Sequence, residues 1–227
     1  MDDLFVAVPW RTRGDPYREK SLRYVRNHLK SITGIDPTLV DGNKDEFSLS
    51  AARNVGVKKA KESGKSIVVI CDADTIVEPD AILNSIELAR KSKHVILPYT
   101  ICKPLTIKST NLYYEGHDVK NLREAGNFDW STGGVYVSSV SAWEYLGGQD
   151  ERFTNWGCED TAFNLASQKM NRPLQRVDGT IYPLWHQSYA REEDEWYIYN
   201  SNLLKWYSES SRRRIKKMIK NKMKGKL

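Results

Sequence analysis

The run Ile67-Val-Val-Ile-Cys71 constrains the fold more than any other stretch of the chain. It is too short for a helix, rich in β-branched residues and continuously apolar, which marks a strand buried on both faces, as in a parallel sheet. Two carboxylates, Asp72 and Asp74, stand where that strand ends, with only Ala73 between them. In open α/β sheets ligands bind in the crevice beyond the carboxyl ends of the strands. Two acids in such a crevice repel each other unless a cation sits between them. Hard oxygen ligands at this spacing suit Mg²⁺ or Mn²⁺ bridging to the phosphates of a nucleotide. Asp-x-Asp also arises in ordinary surface loops, so the rest of the chain has to decide.

The segments around this strand alternate in type. Leu4–Pro9 reads as a first buried strand, and Asp15-Pro16 supplies a cap and first-turn proline for a helix to about Lys30. A short strand over 38–40 closes at Asp41-Gly42, and Ser48 or Ser50 caps a helix towards Ala60. This β-α-β-α-β order predicts an α/β fold with a mostly parallel sheet and right-handed crossovers. Further on, the pattern predicts a helix from Pro79 to Lys91, a strand over 94–97, a short strand near Leu105 and a helix near Asn111. Gly133-Gly134 then leads into a strand, and residues 139 to 146 form a helix stopped by Gly147-Gly148. Glu159 and Asp160 fall at the N-terminus of a helix running to Met170, where the helix dipole is expected to keep both ionised. A late strand covers 180–182, His186 lies just beyond it, and a helix spans about 192 to 207. We therefore expect one domain over 1–190, followed by a C-terminal helix and basic tail over 191–227.

Charge separates these two parts. The net charge of +6 comes from the end of the chain, where residues 212–227 hold nine Lys or Arg and no acid. The remainder holds 26 basic against 29 acidic residues, a net of −3. Ile215, Met218, Ile219 and Met223 fall on one helical stripe of the tail. Basic amphipathic segments bind anionic membranes or nucleic acid, whereas a solvated or disordered end is the plain alternative. No run approaches 18 consecutive apolar residues, and the first strand begins almost at the initiator, so neither a span nor a signal peptide is expected. The three widely spaced cysteines, Cys71, Cys102 and Cys158, form neither a zinc pattern nor a disulfide framework, which fits a reducing cytoplasm.

Taken together, the motifs resemble the GT-A nucleotide-sugar glycosyltransferases over roughly residues 4 to 187. Ser50-Ala-Ala-Arg53-Asn54-Val-Gly56 followed by 67–74 is similar to the family-2 pattern leading into its Asp-x-Asp motif. Gly133-Gly134-Val, then Tyr145-Leu-Gly-Gly-Gln-Asp150-Glu-Arg-Phe, then Trp156-Gly-Cys-Glu159-Asp160 is similar to the C-terminal half of β-1,4-galactosyltransferases, polypeptide N-acetylgalactosaminyltransferases and chondroitin-type polymerases. Val8-Pro9-Trp10-Arg11 echoes the galactosyltransferase segment after the first strand.

The resemblance implies a metal-dependent transfer of sugar from a nucleoside diphosphate sugar, UDP above GDP or dTDP, to an acceptor hydroxyl. Asp74 would ligate the metal, with Asp72 sharing the ion or contacting the ribose, and His186 would complete the site. An imidazole ligand favours Mn²⁺ over Mg²⁺. Pro9, Arg11, Arg13, Asp41 and Arg53 would line the donor pocket, and Gly133 and Gly134 would let the backbone approach the sugar. Asp160 would be the general base, Glu159 would orient the acceptor, and Trp156 would form a platform under a sugar ring; this arrangement implies inversion at the anomeric carbon. Cys158 stands where Gly is often found before the acid pair.

Two other classes stay open on sequence alone. Asp72-Ala-Asp74-Thr75 partly fits the nucleophile motif of haloacid-dehalogenase-type phosphatases, although that motif usually opens the chain. A membrane- or nucleic-acid-binding module acting through the tail is the other. For the transferase reading, the acceptor can be a lipid-linked glycan, a protein or a modified base.

Overall fold

The computed structural model describes residues 1–12, 14–155, 157–187 and 194–222. Arg13, Trp156 and Met223 lie outside the described residues. Parallel strands open the fold: β1 (Leu4–Pro9), then α1 (Pro16–Thr33), β2 (Thr38–Val40), α2 (Leu49–Glu62) and β3 (Ile67–Cys71). Asp15 caps α1, its Oδ1 accepting from the Tyr17 N–H at 2.8 Å, and Gly34 ends the helix at φ 72°. Of the two candidate caps for α2 it is Ser48 that serves, its Oγ accepting from the Ala51 N–H. All of β3 is buried.

The chain continues through β4 (Thr75–Val77), α3 (Pro79–Lys91), β5 (Ile96–Leu97), β6 (Ile101–Cys102), α4 (Ile107–Tyr114) and β7 (Val135–Ser139). It ends with α5 (Val140–Tyr145), α6 (Glu159–Lys169), β8 (Gln175–Arg176), β9 (Thr180–Pro183), α7 (Glu195–Glu209) and α8 (Arg212–Lys222). The main sheet has the order β2-β1-β3-β7-β5-β8, and a smaller sheet has the order β4-β9-β6. Five of the six main strands run the same way; β7 is antiparallel to both its neighbours. The reason is positional. β5 ends at the same sheet edge as Asp72, and residues 98–134 stay at that edge, where they contribute to the small sheet. With no crossover helix to return it, the chain can only run back down as β7. Leu105 makes an isolated bridge with Glu124 where a strand was expected, and β4 and β8 are strands that periodicity did not announce.

The described part of the tail, residues 212–222, is a helix packed on the body and not a solvated end. α8 is ordered, and its apolar stripe turns inward: Ile215 is 0 % and Ile219 5 % exposed. Gly147, at φ 75°, makes room for it, since a Cβ there would lie 2.8 Å from Ile219 Cγ2. The cations Arg212, Arg213, Arg214, Lys216, Lys217 and Lys220 face outward. The stripe is therefore committed to the body of the protein and is not free to enter a bilayer. Among the described residues, no helix is long and apolar enough to cross a membrane.

Candidate active site

After Cys71 the chain turns through Asp72-Ala73-Asp74 and goes directly into β4. β4 pairs antiparallel with β9, Thr75 opposite Pro183, and the Leu184 N–H donates to the Asp74 carbonyl at 2.6 Å. This register carries the residues after β9 back past the acid turn. His186 Nε2 thereby comes to lie 3.1 Å from Asp74 Oδ2. The bond to Asp74 raises the imidazole's pKa, against the opposing effect of burial. Burial pushes the Asp74 carboxyl up, but the bond from His186 and the nearby charges outweigh it and hold the group below its ordinary value.

Arg53, on α2, organises the other half of the site. It is wholly buried (0 % exposed). Its Nη2 meets Asp72 Oδ2 at 2.8 Å, while Nη1 donates to Asp160 Oδ1 at 2.6 Å and to Gln149 Oε1 at 3.0 Å. Glu159 Oε1 is 3.6 Å from the same Nη1. The sequence placed Arg53 beside the nucleotide; it lies beneath the cleft instead, because three carboxylates converging from α6 and β3 need a buried cation. Asp72 is drawn into this clamp and still reaches the cleft wall. Burial pushes its carboxyl up to about 6 even so, with Arg53 pulling the other way.

Asp160 is fixed by two partners through Oδ1, and among the described residues its Oδ2 has no hydrogen-bond partner. Oδ1 takes Arg53 and lies 2.5 Å from Tyr136 Oη. Burial raises the Tyr136 phenol well above its ordinary pKa, so it stays a proton donor. Oδ2 faces Gly133 so closely that a Cβ at that position would come within 2.1 Å of it. The glycine pair is in turn tied to the acid turn, with the Asp72 N–H donating to the Gly134 carbonyl at 2.8 Å. The Tyr99 hydroxyl holds the Gly133 carbonyl at 2.6 Å. At the N-terminus of α6 the helix dipole favours an ionised Glu159, and burial opposes it. Burial, reinforced by Asp160, pushes its carboxyl well above the ordinary range. Cys158 stands just before the pair at φ 74°, a left-handed conformation that explains why glycine suits this position.

Of the residues expected at the nucleotide, Asp72, Gly133 and Gly134 wall the cleft, whereas Pro9, Arg11 and Asp41 fall at the same sheet edge but outside that wall. Pro9 is buried at the end of β1. Arg11 makes two hydrogen bonds to Asp41, of 2.7 and 2.9 Å, and its guanidinium lies 5.6 Å from the Phe47 ring centroid. That pairing with Arg11 lowers the Asp41 pKa. The cleft itself has a volume of about 290 Å³ and is walled by Asp72, Asp74, Gly133, Gly134, Asp160 and Trp130, among others. Sequence reasoning missed Tyr136, Gln149 and Arg18. Arg18 rests 5.9 Å from the Trp10 ring, and its buried Nε has no hydrogen-bond partner among the described residues.

Three ligands were expected for a metal: Asp72, Asp74 and His186. Among the described residues no three His, Cys, Asp or Glu side chains converge to hold an ion. Asp74 and His186 do come together. One carboxylate oxygen and one imidazole nitrogen in contact at the cleft edge suit Mn²⁺ better than Mg²⁺. Two protein ligands also leave most positions for phosphate oxygens and water.

No protein-family model matches the chain, and no curated protein matches it by sequence. Solved structures do. The catalytic domain of Drosophila β1,4-galactosyltransferase 7 in complex with xylobiose is 17% identical, with a TM-score of 0.52 over 85% of this chain and 74% of that one. A variant of that enzyme in complex with manganese, UDP-Gal and xylobiose is 16% identical, with a TM-score of 0.56 over 85% and 75%. GalNAc-T7 with UDP, GalNAc and Mn²⁺ is 12% identical, with a TM-score of 0.55 over 91% of this chain and 50% of that one. The chain thus has the GT-A fold, and the haloacid-dehalogenase expectation falls with it: the Asp72 that reading needs as nucleophile is clamped by Arg53.

Proposed function

We propose that this chain is a metal-dependent glycosyltransferase that moves a sugar from a UDP-sugar to a hydroxyl of a glycan acceptor, with inversion at the anomeric carbon. The carrying observation is the division of one cleft into two chemistries. Asp74 with His186 stands on one side and Asp160 on the other. The solved neighbours bound to UDP-sugar, manganese and xylobiose support the same donor, metal and acceptor class. Asp74 and His186 would hold Mn²⁺, which when bound neutralises the departing diphosphate. Asp160 Oδ2 takes the proton from the acceptor hydroxyl as the new bond forms. Arg53 and Tyr136 fix Oδ1, so only Oδ2 is available for that proton. Glu159, whose carboxyl burial and Asp160 push upward, would orient the acceptor hydroxyl beside that base.

A thermal-shift panel of UDP, GDP, dTDP and CMP, each with and without Mn²⁺, tests the donor half. Stabilisation by UDP that needs Mn²⁺ and is lost in Asp74→Ala is expected. No stabilisation by any nucleotide would overturn the reading. Product NMR showing a retained anomeric configuration would overturn inversion alone. For the partner surface, the outward cations of α8 support electrostatic contact with an anionic surface, without apolar insertion. Reversing Lys216, Lys217 and Lys220 to Glu should abolish low-salt retention on anionic vesicles or DNA; unchanged retention on both would remove the tail from the mechanism.

A further inference from the structure

One cation of α8 does not join the outward row. Lys222, at the end of the helix, is half-buried, and its ammonium donates to the Gln149 carbonyl. Burial lowers the pKa of Lys222, while Glu151 and Asp150 pull it back up. Taking an ammonium out of water costs free energy. Docking of α8 does not call for it, because Ile215 and Ile219 already bury the apolar stripe. A charge placed inward at such a cost suits a contact that selects one arrangement over its neighbours.

The carbonyl it meets belongs to a residue of the Arg53 clamp. Gln149 is wholly buried, and its Oε1 accepts from Arg53 Nη1 at 3.0 Å. The same nitrogen donates to Asp160 Oδ1 at 2.6 Å. Asn54, the next residue on α2, grips the main chain of Gln149 from the other side. Its Nδ2 donates to the Gln149 carbonyl at 2.8 Å, and its Oδ1 accepts the Gln149 N–H at 3.0 Å. Gly147 and Gly148, at φ 75° and 65°, lead into Gln149 without side chains of their own, so the place of this segment is set by what bonds to it. We propose that Lys222 is a positioning residue for the transfer step: its ammonium holds the Gln149 carbonyl, Gln149 holds Arg53, and Arg53 holds Asp160. This rests on the glycosyltransferase reading and gives α8 a part in that site separate from its outward cations.

The test uses the full chain and the variants Lys222→Met, Lys222→Arg and Gln149→Leu. One readout is the guanidinium N–H signals of Arg53 by NMR. The other is UDP release with Mn²⁺ from UDP-galactose, UDP-N-acetylgalactosamine or UDP-glucose, with xylobiose or water as acceptor. Lys222→Met keeps the stem and removes the charge. It is expected to shift or broaden the Arg53 signals and to lower kcat by about tenfold with KM nearly unchanged, a fraction of the roughly 10²-fold that a misplacement of about 1 Å can cost. Lys222→Arg should restore most of both. In a chain that already carries Gln149→Leu, Lys222→Met should add little, since the two act along one path. Unchanged Arg53 signals, an unchanged kcat, or additive losses in the double variant would overturn the positioning role and leave the glycosyltransferase reading intact. If Lys222→Met does not fold, Gln149→Leu decides: Arg53 signals and kcat unchanged there overturn the path, and both changed support it. If wild type releases UDP from none of the three sugars, the glycosyltransferase reading falls and the positioning role falls with it.

Discussion

Arg53 holds carboxylates from both sides of the cleft, so its removal would leave Asp72 and Asp160 repelling each other in a buried space. Arg53→Ala should lower stability in urea denaturation by about 3–5 kcal/mol, the cost of an uncompensated buried charge. Arg53→Lys should recover little of this, because one ammonium cannot make the forked bonds to two acids at once. The two acids of α6 should separate by function. Asp160→Asn should reduce transfer by about 10²–10⁴-fold, the range for a lost general base, in an initial-rate assay. Glu159→Gln, which keeps the size of the side chain and a hydrogen-bonding end, should cost far less in the same assay. Asp74, His186 and the acid pair were legible in the sequence because each sits at a strand end or helix start. Arg53 was misread because a single arginine on a helix does not reveal which way it points. Only the three carboxylates gathered around it explain its burial.

At the scale of elements, β4 and α8 contribute what the sequence left unread. β4 is three residues long, too short for its alternation to register, yet its pairing with β9 delivers His186 to Asp74. It is also tied to α1, with His28 Nε2 2.7 Å from the Val77 carbonyl. Burial lowers the pKa of His28 below its ordinary 6.5, while the bond to Val77 pulls the other way. The folded protein therefore prefers the neutral ring, and unfolding takes up a proton on acidification. This contribution is fully present above pH 6.5 and is lost as pH falls through that value towards the folded pKa. Urea-unfolding free energies measured from pH 7.5 to 5 should decline in wild type and decline less in His28→Gln. For α8, the stripe of apolar residues was visible but its partner was not, because a groove made by Gly147 and α6 has no signature in local periodicity. Ile219→Ala should destabilise the whole chain by about 2–5 kcal/mol in chemical denaturation, as for other buried truncations. A tail merely attached to the body would show no such effect.

For the molecule as a whole, the α/β class and the first half of the main sheet follow from apolar runs separated by capped helices. The inversion of β7 does not, since it depends on where residues 98–134 spend their length. That same route brings Gly133 against Asp160, so this wall of the cleft is built from the part of the chain least predictable by pattern. The join between Asp74 and His186 has a consequence in time. The two lie roughly a hundred residues apart in sequence, and contacts of such separation form slowly because loop closure must precede them. During synthesis β3 and the acid turn emerge long before β9 exists to pair with β4. The ribosome-bound chain therefore carries Asp74 without His186, and the two meet only once β9 docks.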